Sequence, residues 1–268
     1  PLTEAEALDV TKIYSIAGLL STKGRLVARR PFRSPHHTIS CSALAGGGGI
    51  PKPGEVTLSH NGVLFLDELP EFSRAALEVL RQPLEDGFVS ISRVQAAYTF
   101  PASFLLCASR NPCPCGWLGD SKHQCTCRPG EIERYQRKVS GPLLDRIDIQ
   151  VHVPRVEFKD LRTKAPGEKS AVIRERVCAA RQIQLQRLQP AGLYCNAQMS
   201  HREVERFCQL DAPSMALLEQ VFAALGLSAR SYDRIIKVAR TIADLAGGGA
   251  ITAAHVAEAI QLRTSTQK

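Results

Sequence analysis

The chain has 268 residues, 44% hydrophobic and 22% charged, as in an ordinary globular protein of one large or two modest domains. No apolar run approaches the roughly 20 residues of a transmembrane helix. The odd number of cysteines, nine, argues against a secreted disulfide scaffold. A net charge of +8 favours a polyanionic partner such as nucleic acid, although many basic proteins bind none. Without an initial Met or a signal peptide, we expect a piece of a longer cytoplasmic protein.

The first predicted element is a helix from about Glu4 to Ala17. Thr3 and Glu6 have the spacing of a capping box, and the apolar residues that follow recur at helical intervals. We expect this helix to pack on a sheet.

A basic, proline-rich stretch from Arg29 to Thr38 follows and is incompatible with regular helix. Its adjacent His36 and His37 suggest a metal site, but neighbouring side chains diverge and no third ligand is close in sequence. Hydrogen bonding or packing is the expected role.

The glycine run from Gly46 to Gly49 has the composition of a phosphate cradle but lacks its Gly-Lys-Ser/Thr ending. No Gly-x-x-x-x-Gly-Lys-Ser/Thr sequence occurs anywhere in the chain. We therefore predict a mobile loop, with Glu55 to Leu58 starting the return toward the next strand.

Four apolar residues, Val63 to Leu66, predict a short, fully buried strand, and Asp67 and Glu68 follow at its carboxyl end. Ligands bind at that edge of open α/β sheets. Asp67 suits Mg²⁺, and Glu68 suits a water aimed at a phosphate. The alternative is a solvated acidic turn.

A helix and a hairpin are predicted next. The helix, which ends at Pro83–Gly87, has an apolar face composed of Ala75, Ala76, Val79 and Leu80. Alternating residues from Phe88 to Arg93 and the segment Tyr98–Pro101 predict the hairpin, with Arg93 near its tip. Arg93 is either a solvated charge or a contact to a nucleic-acid backbone.

A second buried strand is predicted from Ser103 to Ala108, with Asn111 shortly after it. An asparagine level with Asp67 and Glu68 is placed to orient a water or a γ-phosphate. The alternative is a simple Asn-Pro turn with Pro112.

Two Cys-x-Cys pairs, nine residues apart, form a compact set of thiols near His123: Cys113, Cys115, Cys125 and Cys127. Four thiols in so short a span suggest a structural zinc ion. Because Cys-x-Cys is tighter than the usual Cys-x-x-Cys, reduced thiols or an adventitious disulfide are the alternatives.

Arg146 lies between Asp145 and Asp148, after a basic helix predicted from Gly130 to Val139. Its neighbours favour a simple salt bridge. The residues that follow, Ile149 to Val153, alternate as in a strand.

The predicted domains are an α/β core over 1–155, a linker over 156–169 and an all-α lid over 170–268. Capping and stop signals place the lid helices at 171–188, after Ser200, from Asp211 to Gly226, after Ser228 and after Thr252. Arg230 lies in the first turn of the helix capped by Ser228, with Arg234 one turn on. Surface arginines are the plain alternative.

Together these segments resemble the magnesium-chelatase-like AAA+ ATPases, most closely the bacterial competence branch. The resemblance rests on Arg33–Thr38, Pro53–Val56, Val63–Glu68 and Asn111–Gly116. It implies a partial AAA+ (P-loop ATPase) three-layer core with an α-helical lid, and a hexameric ring that uses ATP and Mg²⁺. In the competence branch it implies a DNA branch-migration helicase of natural transformation.

The resemblance also implies roles for particular residues. Asp67 and Glu68 look like Walker B, Asn111 like sensor 1, Arg146 like the arginine finger and Arg230 like sensor 2, with Arg234 in reserve. By the same analogy Arg93 and Lys52 become DNA contacts. The family's Walker A loop has no counterpart here, so we expect this chain to be inactive by itself.

Two other functions compete with the helicase. One is a chelatase-type motor that drives metal insertion into a porphyrin. The other is a non-catalytic DNA-binding module in which the acidic pair is structural.

Overall fold

The computed structural model describes residues 1–20, 25–48, 51–92, 97–120, 122–155 and 167–264. It divides into two compact units, Pro1–Ile147 and Asp148–Lys268. The first is α/β and the second is all-α, so the predicted fold class is confirmed. The predicted domain limits stay a prediction, and Arg93 and residues 156–166 of the predicted linker lie outside the described residues. Within the described ranges, no helix is long and apolar enough to cross a membrane.

A three-stranded parallel sheet organises the first unit, in the order β1 (Phe32–Arg33), β4 (Val63–Leu66) and β7 (Leu105–Ala108). Two antiparallel pairs accompany it: β2 (Gly46–Gly47) with β3 (Lys52–Pro53), and β5 (Phe88–Ser92) with β6 (Ala97–Pro101). The second pair is the predicted hairpin.

The central strand β4 is less buried than predicted. Leu64 and Leu66 are fully buried in the core of the unit, whereas Val63 and Phe65 on the opposite face are only partly covered. Phe65 stacks on Phe32 of β1, with 6.2 Å between ring centroids. Side chains alternate across a strand, and the described core packs on one face only.

The prediction that β7 is buried was wrong. Leu105 is 65% exposed, and Cys107 and Ala108 are exposed as well. In the described residues β7 is an edge strand, paired with β4 on one side only. The apolar sequence of β7 is typical of a buried strand, but its second edge has no partner strand among the described residues.

The described part of the glycine segment forms a short strand. Gly46 and Gly47 form β2, Gly49 lies outside the described residues, and Glu55–Leu58, where the return was predicted to start, is the short helix α3. A Cβ on Gly54 would meet the backbone nitrogen of Gly46 at 2.2 Å. Only glycine permits so close a backbone approach, and this approach holds the β2–β3 pair against the start of α3.

The remaining helices of the first unit are α1 (Glu4–Ile16), α2 (Cys41–Ala45), α4 (Arg74–Val79), α5 (Arg81–Asp86), α6 (Pro129–Gln136) and α7 (Gly141–Leu144). The capping box at Thr3 and Glu6 is present as predicted. The prediction of a single helix after the acidic pair was wrong, because the chain turns at Leu80 between α4 and α5. The predicted apolar face was also partly wrong: Ala75 is exposed, and Leu77 is buried instead. Pro83 removes one donor from the helical ladder, which favours the break.

The second unit contains five α-helices in its described residues: α8 (Ser170–Leu188), α9 (His201–Phe207), α10 (Ala212–Leu225), α11 (Ala229–Leu245) and α12 (Ala253–Thr264). The predicted caps at Ser200, Asp211 and Ser228 all form. The strand predicted from Ile149 to Val153 is absent, and its three apolar residues are exposed. None of the described strands pairs with this segment. Without a partner strand, an alternating segment forms none of the hydrogen bonds that stabilise a sheet.

Candidate active site

The acidic pair lies where the sequence places it, directly after β4. Asp67 and Glu68 are both exposed, and Glu68 adopts a left-handed backbone conformation with φ 53° and ψ 50°. A non-glycine residue in that region costs about 1–3 kcal/mol and persists only where the surroundings impose it. Such strain is typical of functional positions.

Ser109, which follows the neighbouring strand β7, imposes this geometry. The backbone N–H of Glu68 donates to the Ser109 hydroxyl over 3.2 Å, and the N–H of Leu69 donates to the Ser109 carbonyl over 2.8 Å. The Ser109 hydroxyl in turn donates a short hydrogen bond to Oδ1 of Asp67. A serine side chain therefore ties the two strand ends together and orients the Asp67 carboxylate.

The sequence interpretation missed Ser109. Its position, the first residue after the strand beside β4, was the available signal, because the carboxyl ends of parallel strands meet at one edge of a sheet. Asp67 and Ser109 together offer carboxylate and hydroxyl oxygens, the kind of ligand that Mg²⁺ prefers.

His37 also reaches the acidic pair. Its Nδ1 lies 3.6 Å from Oε2 of Glu68, and its ring packs on His36 and on the edge of Phe72, with centroids 4.0 and 6.4 Å apart. His36 contacts the Thr38 hydroxyl over 3.0 Å. The two histidines thus make the hydrogen-bonding and packing contacts that were expected, and His37 adds a polar neighbour to Glu68.

Asn111 lies at the same edge of the sheet, two residues beyond Ser109, and is exposed. Its backbone approaches the hydroxyl of Tyr135, a buried residue of α6. Burial raises the pKa of Tyr135, and the nearby Glu71 and Glu68 carboxylates raise it further. Tyr135 therefore lies close to both Asn111 and Glu68.

Arg146 is held within its own unit. Its side chain is only 8% exposed, donates to the carbonyl of Pro142 over 2.7 Å and forms a short ion pair with Glu85. The salt-bridged alternative therefore describes Arg146 as it stands in this chain.

The two lid arginines belong to the second unit. Arg230 is exposed in the first turn of α11, after the Ser228 cap. Arg234 forms a short ion pair with Asp148. Of the two DNA-contact candidates, Lys52 is exposed in β3, whereas Arg93 lies outside the described residues.

The four cysteines predicted to bind zinc come together. Their sulfur atoms all lie within 4.8 Å of one another, and Cys113 is completely buried. Nearby backbone groups of Trp117 and Thr126 lower the pKa of the Cys115 thiol to about 5, whereas burial and the neighbouring thiols raise the pKa of Cys127 to about 12. His123 is not part of this group, because its ring stacks on Trp117 with 4.2 Å between centroids.

Comparison with known proteins gives matches along most of the chain. The family model described as magnesium chelatase, subunit ChlI, matches residues 1–161, and that of its C-terminal part matches residues 167–263. The competence protein ComM of Haemophilus influenzae is 48% identical over 263 residues, which cover 98% of this chain and 50% of that protein. The uncharacterized protein YifB of Escherichia coli is 43% identical over 263 residues, which cover 98% of this chain and 51% of that protein. The chain thus spans about half the length of the relatives it matches.

Proposed function

This chain belongs to the magnesium chelatase ChlI family of AAA+ ATPases, and we propose that it supplies the hydrolytic half of an ATP site in a DNA motor. Its relationship to ComM and YifB confirms the family that the motifs indicated. The α/β unit and the helical unit are the partial AAA+ core and the all-α domain expected of that family.

One observation carries the proposal: Ser109 holds the Asp67–Glu68 pair at the carboxyl end of β4. Bound MgATP would supply the phosphoryl group and the metal charge. Asp67, oriented by the Ser109 hydroxyl, is the residue suited to hold the metal. Glu68, turned outward by its left-handed backbone, is suited to accept a proton from the attacking water.

We propose that Asn111 completes this edge. Its backbone lies near Tyr135, which also lies near Glu68, and its amide can orient the water or the γ-phosphate. The phosphate cradle has to come from elsewhere, because the chain contains no P-loop sequence. The open edge of β7, with its exposed Leu105, is a suitable place for the strand that carries such a loop.

The arginines extend the proposal to a ring. Arg146 would act as a finger on the ATP of a neighbouring subunit, and this requires exchange of its Glu85 ion pair for a phosphate. Arg230, in the first turn of α11, would act as sensor 2, with Arg234 in reserve.

Nucleic acid is the proposed partner for two reasons. The chain carries a net charge of +8, and one of its relatives is a competence protein. Lys52, exposed in β3, and Arg93 are the proposed DNA contacts. Branch migration during natural transformation is the activity that unites these features.

The chelatase-type motor remains the second candidate, because both halves of the chain match chelatase subunit models. The two functions differ in what stimulates ATP hydrolysis. ATPase activity of the full-length protein should therefore be measured with and without a branched DNA. We expect branched DNA to raise the ATPase rate. An ATPase rate that is the same with and without DNA would contradict the helicase function and favour the chelatase-type motor.

A further inference from the structure

The four cysteines lie at the two ends of the loop that follows the proposed sensor Asn111. Cys113 and Cys115 come shortly after Asn111, and Cys125 and Cys127 come shortly before α6. Tyr135 of α6 then folds back to the Asn111 backbone. The two ends of the segment from Asn111 to Tyr135 therefore lie close together, and the thiols lie near those ends.

The spacing of the thiols is that of a single tetrahedral ion. Sγ of Cys113 lies 3.4 Å from that of Cys115 and 3.7 Å from that of Cys125, and Cys115 and Cys125 are 3.6 Å apart. Four thiolates bound to zinc at about 2.3 Å lie roughly 3.8 Å from one another. None of these three pairs is at the distance of a disulfide, whose sulfur atoms are about 2.05 Å apart.

The backbone is arranged for sulfur ligands as well. Backbone groups of Trp117 and Thr126 approach the Cys115 sulfur, and that of Cys127 approaches the Cys125 sulfur. Polar backbone groups beside a ligating sulfur orient it and stabilise its charge. The neighbouring Trp117–His123 stack and the Asp120–His123 contact fold the loop without using the thiols.

We propose that Cys113, Cys115, Cys125 and Cys127 bind one Zn²⁺, and that this ion fixes Asn111 at the edge of the sheet. The ion links the strand side of the loop to the helix side, so that Tyr135 and Asn111 keep their contact. Its removal should let the two sides of the loop move apart. The effect on hydrolysis rests on the proposed function, whereas zinc binding does not.

Metal content tests the first part. The full-length protein, purified without chelators, should lose one equivalent of zinc per chain when Cys125 is changed to Ser. The exposed Cys178 provides the matched control, since Cys178→Ser should leave the zinc content unchanged. Cobalt exchanged into the site should produce thiolate-to-metal charge-transfer absorption that Cys125→Ser abolishes. No zinc in the wild type, iron in its place, or equal zinc in the two variants would overturn the assignment.

Amide hydrogen exchange and kinetics test the second part. Removing the zinc should speed exchange between Asn111 and Tyr135 while β4 stays protected. The kcat for ATP hydrolysis should fall about tenfold to a hundredfold with KM for ATP unchanged, because a displaced sensor misplaces the water. Unchanged exchange in zinc-free protein would refute the positioning role. Normal zinc binding in a protein without any ATPase activity would instead refute the proposed function and leave the zinc site standing.

Discussion

The exposed pair Asp67–Glu68 and the buried Asp244 occupy opposite environments. Asp67 and Glu68 are exposed at a strand end, and Glu68 has a backbone conformation that costs energy. Asp244, in the helical unit, is 1% exposed and accepts hydrogen bonds from Arg187, Arg240 and Asn196 at 2.7–3.1 Å.

This difference indicates that Asp67 and Glu68 serve ligand binding, whereas Asp244 serves the stability of the fold. Removing Asp244 from water is costly, and the surrounding arginines compensate for it only as a complete set. Asp67 and Glu68 keep their carboxylates in water, and the backbone of Glu68 is strained, so the pair contributes little to stability. Exposure and strain thus indicate function at β4, and burial with complete pairing indicates structure in α11.

The largest expected effect on stability is at Asp244. Asp244→Ala should lower the free energy of unfolding by about 3–5 kcal/mol, because it leaves Arg187 and the buried Arg240 without their carboxylate. Urea denaturation followed by circular dichroism measures the loss. Glu168→Ala is the control: its pair with Arg176 is exposed, so the loss should stay below about 1 kcal/mol. Equal losses in the two variants would erase the distinction between buried and exposed pairs.

Ser109 tests whether the exposed pair is oriented as described. Ser109→Ala in the full-length protein should lower kcat for ATP hydrolysis about tenfold, the equivalent of one hydrogen bond to a charged group. Ser109→Thr keeps the hydroxyl and should restore most of the activity. If Ala and Thr behave alike, the hydroxyl does not position Asp67.

Glu68→Gly tests the strain itself. Glycine accepts the left-handed conformation that Glu68 occupies, and this gain is offset by its greater freedom in the unfolded chain. The free energy of unfolding should therefore stay constant or rise by up to about 1 kcal/mol while ATP hydrolysis is lost. A loss of stability as large as that of Asp244→Ala would mean that the acidic pair is structural.

The pH dependence should also differ between the two regions. Burial alone would raise the pKa of Asp244, but Arg187 and Asn196, together with the Arg240 charge, hold it below its usual value of 3.8. Because its folded pKa is depressed, its contribution is complete above the unfolded pKa and is lost as pH falls through the folded one. Acid titration should therefore separate wild type from Asp244→Asn near pH 7 and bring the two together at the lowest pH values.

Local signals predicted the local structure well. The capping boxes at Thr3 and Ser200 and the caps at Asp211 and Ser228 depend on residues within one turn, and all of them form. The strand at 63–66 was predicted from its own apolar residues. The sequence also predicted the acidic pair directly after that strand, whereas the role of Asn111 beside it stays a prediction.

Non-local relations were beyond the sequence. Whether β7 is buried, or whether Ile149–Val153 forms a strand, depends on a partner strand that the pattern does not specify. Ser109 and His37 approach Glu68 only because three strands are adjacent in the sheet. The buried Arg240 and Asp244 read as polar positions of an amphipathic helix until their partner Arg187 is known.

Glu68→Gln in the full-length protein tests the central claim most directly. The substitution preserves shape and hydrogen bonding but removes the base, so steady-state ATP hydrolysis should fall by about 10³-fold or more while ATP still binds. Glu133→Gln, at an exposed position paired with Arg137, is the matched control and should hydrolyse ATP normally. Hydrolysis by Glu68→Gln at the wild-type rate would contradict the assignment of β4 and its acidic pair to the ATP site.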